Sequence, residues 1–412
     1  MNVKLKNSFK MTELGLIPGD WEVKRLGDVA EINMGKTPSR SVKTFWGKGY
    51  LWVSIADLKE KFIFETKEEI TELGALKMQI IPKGTLVMSF KLSIGKLAFV
   101  GNDMYSNEAI CNFQKPKACS DYLYYILSRT DFSRYGKQAV KGYTLNTVSL
   151  KSIQIPIPPL PEQKAIAEVL SDVDELIAAL DKLITKKQNI KQAAMQDLLT
   201  GKIRLPGFGV NNNSFKMTEL GLIPRDWEVK ALGDVAELNM GKTPSRSVKT
   251  FWGNGYSWLS IADLKEKFIF ETKEEITELG ALKMQIIPKG TLVMSFKLSI
   301  GKLAFVGNDM YSNEAICNFQ KPKVCSDYLY YILSRTDFSQ YGKQAVKGYT
   351  LNTVSLKSIK ILTPPLPEQK AIAEVLTDMD NEIMALQKRR DKIKLVKKGL
   401  MQELLTGRIR LV

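Results

Sequence analysis

After Pro161 apolar residues recur at alternating steps of three and four: Ile166, Val169, Val173, Leu176, Leu180 and Leu183, with Leu170, Ile177 and Ile184 widening the stripe. This spacing gathers them on one side of a helix and predicts a coiled-coil seam rather than a strand. Pro161 suits the first helical turn, where a missing N–H costs nothing, and Glu162 complements the helix dipole. No glycine or proline follows until Gly201, which can take the left-handed conformation that ends a helix. From Ile166 to Leu199 such a rod is roughly 50 Å long. The phrase Pro-Leu-Pro-Glu-Gln-Lys-Ala-Ile-Ala-Glu-Val-Leu, at Pro159 to Leu170, returns at Pro365 to Leu376. It opens a second stripe: Ile372, Val375, Leu376, Met379, Ile383, Leu386, Ile393, Val396, Leu400 and Leu404, interrupted by Arg389 and Arg390. A lone helix cannot bury such a stripe. An antiparallel pair satisfies both and places what the helices carry at opposite ends of the rod.

Ahead of each helix lies a block that reads as mixed α and β. Trp21 to Ile32 moves from turn to strand, and Gly35-Lys36-Thr37-Pro38-Ser39-Arg40 forms a polar loop. Leu51 to Ile55 and Phe62 to Glu65 read as strands close enough for a hairpin or neighbouring pair, and Ile80 to Phe90 as a turn within β-rich sequence. A further strand covers Lys96 to Val100. Asp121 to Arg129 has helical spacing, and Ile153 to Pro156 is a strand that delivers the chain to the helix. From Ser214 the chain repeats itself at an offset of 206, and between Ser8 and Ile153 only eight positions differ: Gly19/Arg225, Arg25/Ala231, Ile32/Leu238, Lys48/Asn254, Leu51/Ser257, Val53/Leu259, Ala118/Val324 and Arg134/Gln340. Leu205 to Asn213, rich in glycine and asparagine, reads as the linker between repeats. The expected fold class is α+β: two globular mixed α/β blocks joined by two long helices in an antiparallel coiled coil, a tandem repeat with a pseudo-two-fold axis. Such a module meets a DNA duplex at two separated patches, as an inverted repeat.

Composition narrows the chemistry. The 412 residues, 44% of them hydrophobic, suffice for more than one core, and no run of about 18 apolar residues marks a membrane span. Met1 to Asn7 lacks the apolar stretch of a signal peptide, which leaves the cytoplasm. Cys111 and Cys119, repeated as Cys317 and Cys325, have no CxxC and no histidine nearby, and read as buried free thiols. With no histidine anywhere, catalysis would rest on carboxylates and lysines or on another protein. The net charge of +16 divides as +8 for residues 1–160, 0 for 161–207, +5 for 208–366 and +3 for 367–412. A solvated basic surface accounts for part of this, and an excess concentrated in two blocks fits a polyanion held by two modules.

Three basic stretches are candidates for DNA contact. In the first, Lys36, Arg40 and Lys43 share a loop with hydroxyls and a proline, repeated as Lys242, Arg246 and Lys249; such loops hold phosphates, and an arginine can fork to a guanine edge. The second is Lys137, Gln138, Lys141 and Tyr143, repeated as Lys343, Gln344, Lys347 and Tyr349, where a glutamine able to read adenine lies between lysines. The third is Lys91 and Ser93 with Lys297 and Ser299. Plain surface loops share this composition. Trp46, Trp52 and Tyr50 read as packing residues rather than base-stacking ones. An enzyme pattern competes: Asp57, Glu65 and Lys67 spell D-x7-E-x-K, the spacing of a metal-dependent nuclease core, and Asp263, Glu271 and Lys273 repeat it, though Ala56 stands where proline is usual. A non-catalytic tandem RNA-binding or scaffold protein is a third reading. There is no Walker loop and no GxGxxG. The Pro158-Pro159 and Pro364-Pro365 pairs lack the Asp, Asn or Ser before them that an amino-methyltransferase needs.

Trp21 to Asp28 followed by Met34-Gly35-Lys36-Thr37-Pro38, Trp52 to Leu58, the proline turn before Glu162-Gln163-Lys164, and Leu198-Leu199-Thr200-Gly201 together resemble the specificity subunit of type I restriction-modification systems, over nearly the whole chain twice. The resemblance implies target-recognition domains at 1–158 and 206–364, separated by conserved helices at 159–205 and 365–412. It implies a bipartite double-stranded DNA site, two docked methyltransferase subunits that carry S-adenosylmethionine and methylate adenine, and restriction subunits that cleave. The chain itself would hold no cofactor and no metal. Family members typically carry two dissimilar domains; near-identical ones should read an interrupted palindrome, with Lys48/Asn254 and Leu51/Ser257 a source of slightly unequal half-sites.

Overall fold

The structure, a computed structural model, describes residues 8–139, 142–209, 214–341, 343–345 and 348–411. Packing divides the chain into two compact units, residues 1–181 with 388–412 and residues 182–387. The first unit therefore combines the N-terminal block, the first part of one long helix and the last part of the other.

Its elements are β1 (Phe9–Thr12), β2 (Gly15–Pro18), β3 (Glu22–Arg25), α1 (Leu26–Val29), β4 (Glu31–Met34), β5 (Trp46–Val53), β6 (Phe62–Ile63), β7 (Glu68–Ile70), α2 (Glu72–Ala75), β8 (Leu86–Ser89), β9 (Leu97–Val100), β10 (Tyr105–Ser106), β11 (Ile110–Gln114), α3 (Ser120–Arg129), β12 (Lys137–Ala139), β13 (Gly142–Thr144), α4 (Thr147–Lys151), β14 (Gln154–Ile157) and α5, which begins at Leu160. A five-stranded sheet in the order β4-β11-β8-β9-β6 forms the centre, and a three-stranded sheet β10-β5-β7 adjoins it in sequence. The expected pairing of Leu51–Ile55 with Phe62–Glu65 does not form. Instead β5 pairs antiparallel with β7 and parallel with β10, while β6 runs parallel to β9. The intervening Ser54–Lys61 segment is taken up by an Asp57 turn rather than a hairpin, which frees β6 to join the other sheet.

Strand β8 is buried on both faces, and its alternation divides the core. Leu86 and Met88 join Phe99, Cys111, Phe113 and Ile32 against Tyr122, Leu123 and Ile126 of α3 and Ile166 and Leu170 of α5. Val87 faces the other way, with Ala98, Val100 and Ile110 against Val53, Leu58 and Ile81. This is period 2 with both faces covered. The second unit repeats these strands in the same sheet orders and with the same division of the core. Cys111 and Cys317 are free and buried, which pushes both thiols up, Cys317 to about 12; Cys119 and Cys325 are free and half-buried.

The long helices run Leu160–Leu198 and Leu366–Leu404. Gly201 and Gly407 follow them with φ of 70° and 69°, as expected of residues that end a helix. In the first unit Ile166 and Leu170 share a core with Leu404 and Leu405, Lys397 pairs with Asp174 at 2.5 Å, and Arg390 with Asp181 at 3.2 Å, so these helix segments run antiparallel. In the second unit Lys191 pairs with Asp380 and Lys187 with Glu382, again antiparallel. The seam differs in detail from the sequence pattern. Leu176, Leu183 and Val396 are exposed, and the buried line passes through Ile166, Leu170, Leu180 and Ile184. Continued at heptad spacing, that line meets Lys187 and Lys191, and on the other helix Arg390 and Lys397: cations that snorkel to acidic partners where apolar residues would otherwise continue.

The start of each helix also departs from the simple dipole reading. Glu162 is fully buried, accepting from Trp21 Nε1 at 2.9 Å and from Arg410 Nε at 2.6 Å; Arg410 also forks to Asp20 at 3.0 and 2.7 Å. Glu368, Trp227, Arg204 and Asp226 repeat the arrangement in the second unit. Beside it buried Gln163 donates to Pro158 O and accepts from Cys119 N–H, both at 2.8 Å, tying helix to block. The Glu-Gln pair of the repeated phrase is thus a buried joint.

Candidate nucleic-acid interface

The basic loop after β4 is held from several sides. Gly35 and Lys36 N–H groups donate to Ile110 O (3.1 Å) and Ser106 O (2.8 Å). Trp52 Nε1 donates to Lys36 O at 3.1 Å and Trp46 Nε1 to Ser39 O at 3.2 Å. Trp52 is buried and Trp46 lies edge-on to it at 4.9 Å, so the pair packs the block, as expected, and also clamps the loop backbone. A Cβ at Gly35 would stand 2.1 Å from Ser106 O, so Gly35→Ala is expected to displace the loop and destabilise the unit by about 1–3 kcal/mol; denaturant melts of the variant check it.

Arg40 is pre-positioned. Its guanidinium lies 3.7 Å over the Trp46 ring and forks to both oxygens of Glu68, one at 2.9 Å, which holds the Glu68 carboxyl below its usual range. Stacked and charge-paired, the guanidinium loses little freedom on meeting a base edge. Lys43 is exposed on a 3₁₀ turn, Lys43–Phe45, and Lys36 Nζ reaches Lys77 O at 3.4 Å. Thr37 donates to Glu108, whose carboxyl is held down by that bond and, more weakly, by Lys91 and Arg40. Next to Glu108, Ala109 O accepts from Phe90 N–H at 3.0 Å, so the first basic loop adjoins the third stretch. The β8–β9 turn carrying Lys91 and Ser93 is in turn linked to the second stretch: Leu145 N–H donates to Phe90 O at 3.1 Å. Lys137, Gln138 and Tyr143 stand on the β12–β13 hairpin, Gln138 opposite Tyr143; Lys343, Gln344 and Tyr349 repeat this, while Lys141 and Lys347 lie outside the described residues. The turn carrying Lys91 and the loop after β4 thus lie along one basic rim within the unit.

The second unit rebuilds it. Arg246 lies 3.8 Å over Trp252 and forks to Glu274, and Trp258 Nε1 donates to Lys242 O at 3.1 Å. Lys249 sits on the Lys249–Phe251 turn, and Glu314 accepts from Thr243 with Lys297 nearby.

Sequence reasoning missed the acidic members, Glu68 and Glu108. Nothing in local spacing connects a glutamate 28 or 71 residues onward to the loop it serves. It also missed Leu92 and Leu298. Each sits at the tip of the β8–β9 turn or its counterpart with φ of 64° and 65°, exposed at 63% and 59%. A leucine in the left-handed region costs roughly 1–2 kcal/mol.

The nuclease pattern dissolves. Asp57 Oδ2 accepts from Ser54 N–H and Oγ at 2.8 and 2.7 Å, and Oδ1 from Lys67 N–H at 3.0 Å; Asp263 does the same. The aspartate closes a turn, Glu65 and Lys67 are solvated, and among the described residues no group of three His, Cys, Asp or Glu could hold a metal.

A family model, the type I restriction modification DNA specificity domain, matches residues 18–192 and again 224–395. The chain belongs to the type I restriction-modification DNA specificity family. As a specificity subunit it recognises DNA sequence and is not itself an enzyme. The type I restriction enzyme MjaVIII specificity subunit of Methanocaldococcus jannaschii is 30% identical over 416 residues, covering 96% of this chain and 94% of that one. Two solved chains share the fold. One comes from work on complex assembly and conformational transition of the type I R-M system (TM-score 0.60, 16% identity, 95% of this chain and 99% of that chain), the other is the type I S subunit of M. genitalium (0.59, 15%, 98% of each). No helix among the described residues is long and apolar enough to cross a membrane.

Proposed function

We propose that this specificity subunit reads a bipartite double-stranded DNA site whose halves are nearly the same sequence in inverted orientation. In this reading 1–158 and 206–364 are the target-recognition domains, and 159–205 and 365–412 the helices that separate them. Bound in the cytoplasm by two methyltransferase subunits and by restriction subunits, the chain positions their adenine methylation and cleavage and holds no cofactor of its own. The observation that carries it is the repetition of one reader: the stacked, forked arginine and the tryptophan-clamped loop recur bond for bond. Phosphate contact falls to Lys36, Lys43, Lys91, Ser93, Lys137 and Lys141, base reading to Arg40, Gln138 and Tyr143, with Lys242, Lys249, Lys297, Ser299, Lys343, Lys347, Arg246, Gln344 and Tyr349 as counterparts. The repeats differ at the equivalent positions Lys48/Asn254 and Leu51/Ser257, a source of unequal half-site affinity.

Selection from a random duplex library by the chain assembled with its methyltransferase partners is expected to yield two like half-sites facing each other. A direct repeat, or two unrelated halves, overturns the reading. Binding to the selected duplex should fall linearly with the logarithm of salt, by about 0.9 in log K per phosphate neutralised.

A further inference from the structure

The β8–β9 turn carries a side chain that the reading above leaves unused. Leu92 stands between Lys91 and Ser93 with its apolar group in solvent, although its backbone is in a region that glycine or asparagine would occupy without strain. In the second unit Ser299 N–H donates to Lys297 O at 2.8 Å, closing a three-residue turn around Leu298, a rare and strained type. The turn is rigid. Fully buried Ser89 donates through Oγ to Ser93 O and accepts from Lys96 N–H at 3.1 Å, and Gly95 N–H returns to Ser89 O at 2.9 Å. Lys91 beside it lies within electrostatic reach of Glu108, on the rim already assigned to DNA. A leucine largely in solvent, held out by a strained turn beside a lysine and present in both units, has the properties of an apolar wedge. Proteins that deform a duplex insert such side chains between base steps, where the apolar group replaces lost stacking and the adjacent cations hold the phosphates.

We infer that Leu92 and Leu298 each wedge into a base step of the half-site read by their own unit, unstacking it locally. The inference rests on the DNA-reading assignment above and deepens it by naming a residue that acts on duplex deformability rather than on base edges.

The test uses the assembled complex and the selected duplex, with 2-aminopurine placed in turn at each purine other than the methylated adenine. The wild-type complex is expected to raise fluorescence several-fold at one position in each half-site. Leu92→Asn with Leu298→Asn keeps a residue that tolerates the turn and removes the wedge. It should abolish the rise and weaken target binding by about tenfold, with non-specific binding unchanged. Leu92→Asn alone should silence only one half-site. Leu92→Gly with Leu298→Gly should lose the signal while raising the melting temperature, because the strain goes with the side chain. No rise with wild type, an unchanged rise in the double Asn variant, or a melting temperature lowered by glycine as for a packing residue would each overturn the wedge. Failure to select any duplex overturns the DNA reading instead.

Discussion

Arg410→Ala is expected to destabilise the unit made of residues 1–181 and 388–412 by about 3–5 kcal/mol, because it leaves Glu162 buried with no cationic partner. Glu162 is fully enclosed, with only the Trp21 indole N–H remaining to it, and one neutral donor does not replace a forked guanidinium. Arg204→Ala should do the same to residues 182–387 through Glu368. Hydrogen exchange distinguishes the two, since protection should fall in the Trp21 block for one variant and in the Trp227 block for the other. Equal loss in both units, or loss in neither, would remove the joint from the account. Replacing both members, Glu162→Leu with Arg410→Met, should be milder than Arg410→Ala, because no charge is stranded. The same joint gives a pH dependence. The Arg410 guanidinium holds the Asp20 carboxyl below its ordinary 3.8, so Asp20 contributes stability that is complete above that value and is lost as pH falls through the lower folded one. Asp226, held down by Arg204, behaves alike.

The second large effect is on recognition. Arg40→Ala with Arg246→Ala is expected to weaken specific binding by about 1–3 kcal/mol at each half-site and to relax the preference at one base pair in each. Arg40→Lys should be nearly as damaging, since an ammonium neither forks nor stacks on Trp46 as a guanidinium does. Glu68→Gln tests the pre-positioning: the arginine remains, loses its charged partner, and should read the same base with lower discrimination. Competition binding against the selected duplex and its single-base variants measures all of these. A uniform loss over every sequence would make Arg40 a phosphate contact.

The long helices, their glycine stops and the tandem repeat were legible because they depend on local periodicity and on identity at a fixed offset. The seam was legible only to within a face. Leu176 and Leu183 continue the apolar spacing but turn outward, while Lys187 and Lys191 take acidic partners, Glu382 and Asp380, that only the other helix supplies. Within the blocks, the strands expected at Lys96–Val100 and Ile153–Pro156 were legible and form as Leu97–Val100 and Gln154–Ile157. The partners of β5 and β6 were not legible, since pairing across 16 to 53 residues leaves no trace in spacing. The basic loops were visible as composition. How the first of them is held was not, for it depends on Glu68, Glu108 and two indole N–H groups contributed from elsewhere in the fold. Glu162 shows the limit most clearly: a first-turn acid looks the same in sequence whether it faces solvent or a buried arginine 248 residues on.

A ribosome makes the Trp21 block first, yet that block's core includes Leu404 and Leu405 and its joint needs Arg410. During synthesis the face of that block that meets Leu404 and Leu405 stays uncovered while the Trp227 block emerges, and its joint closes only once Arg410 has been made. A nonsense codon just ahead of Leu404 would accordingly injure the Trp21 block, encoded far upstream of it, while every residue of the unit at 182–387 is still made.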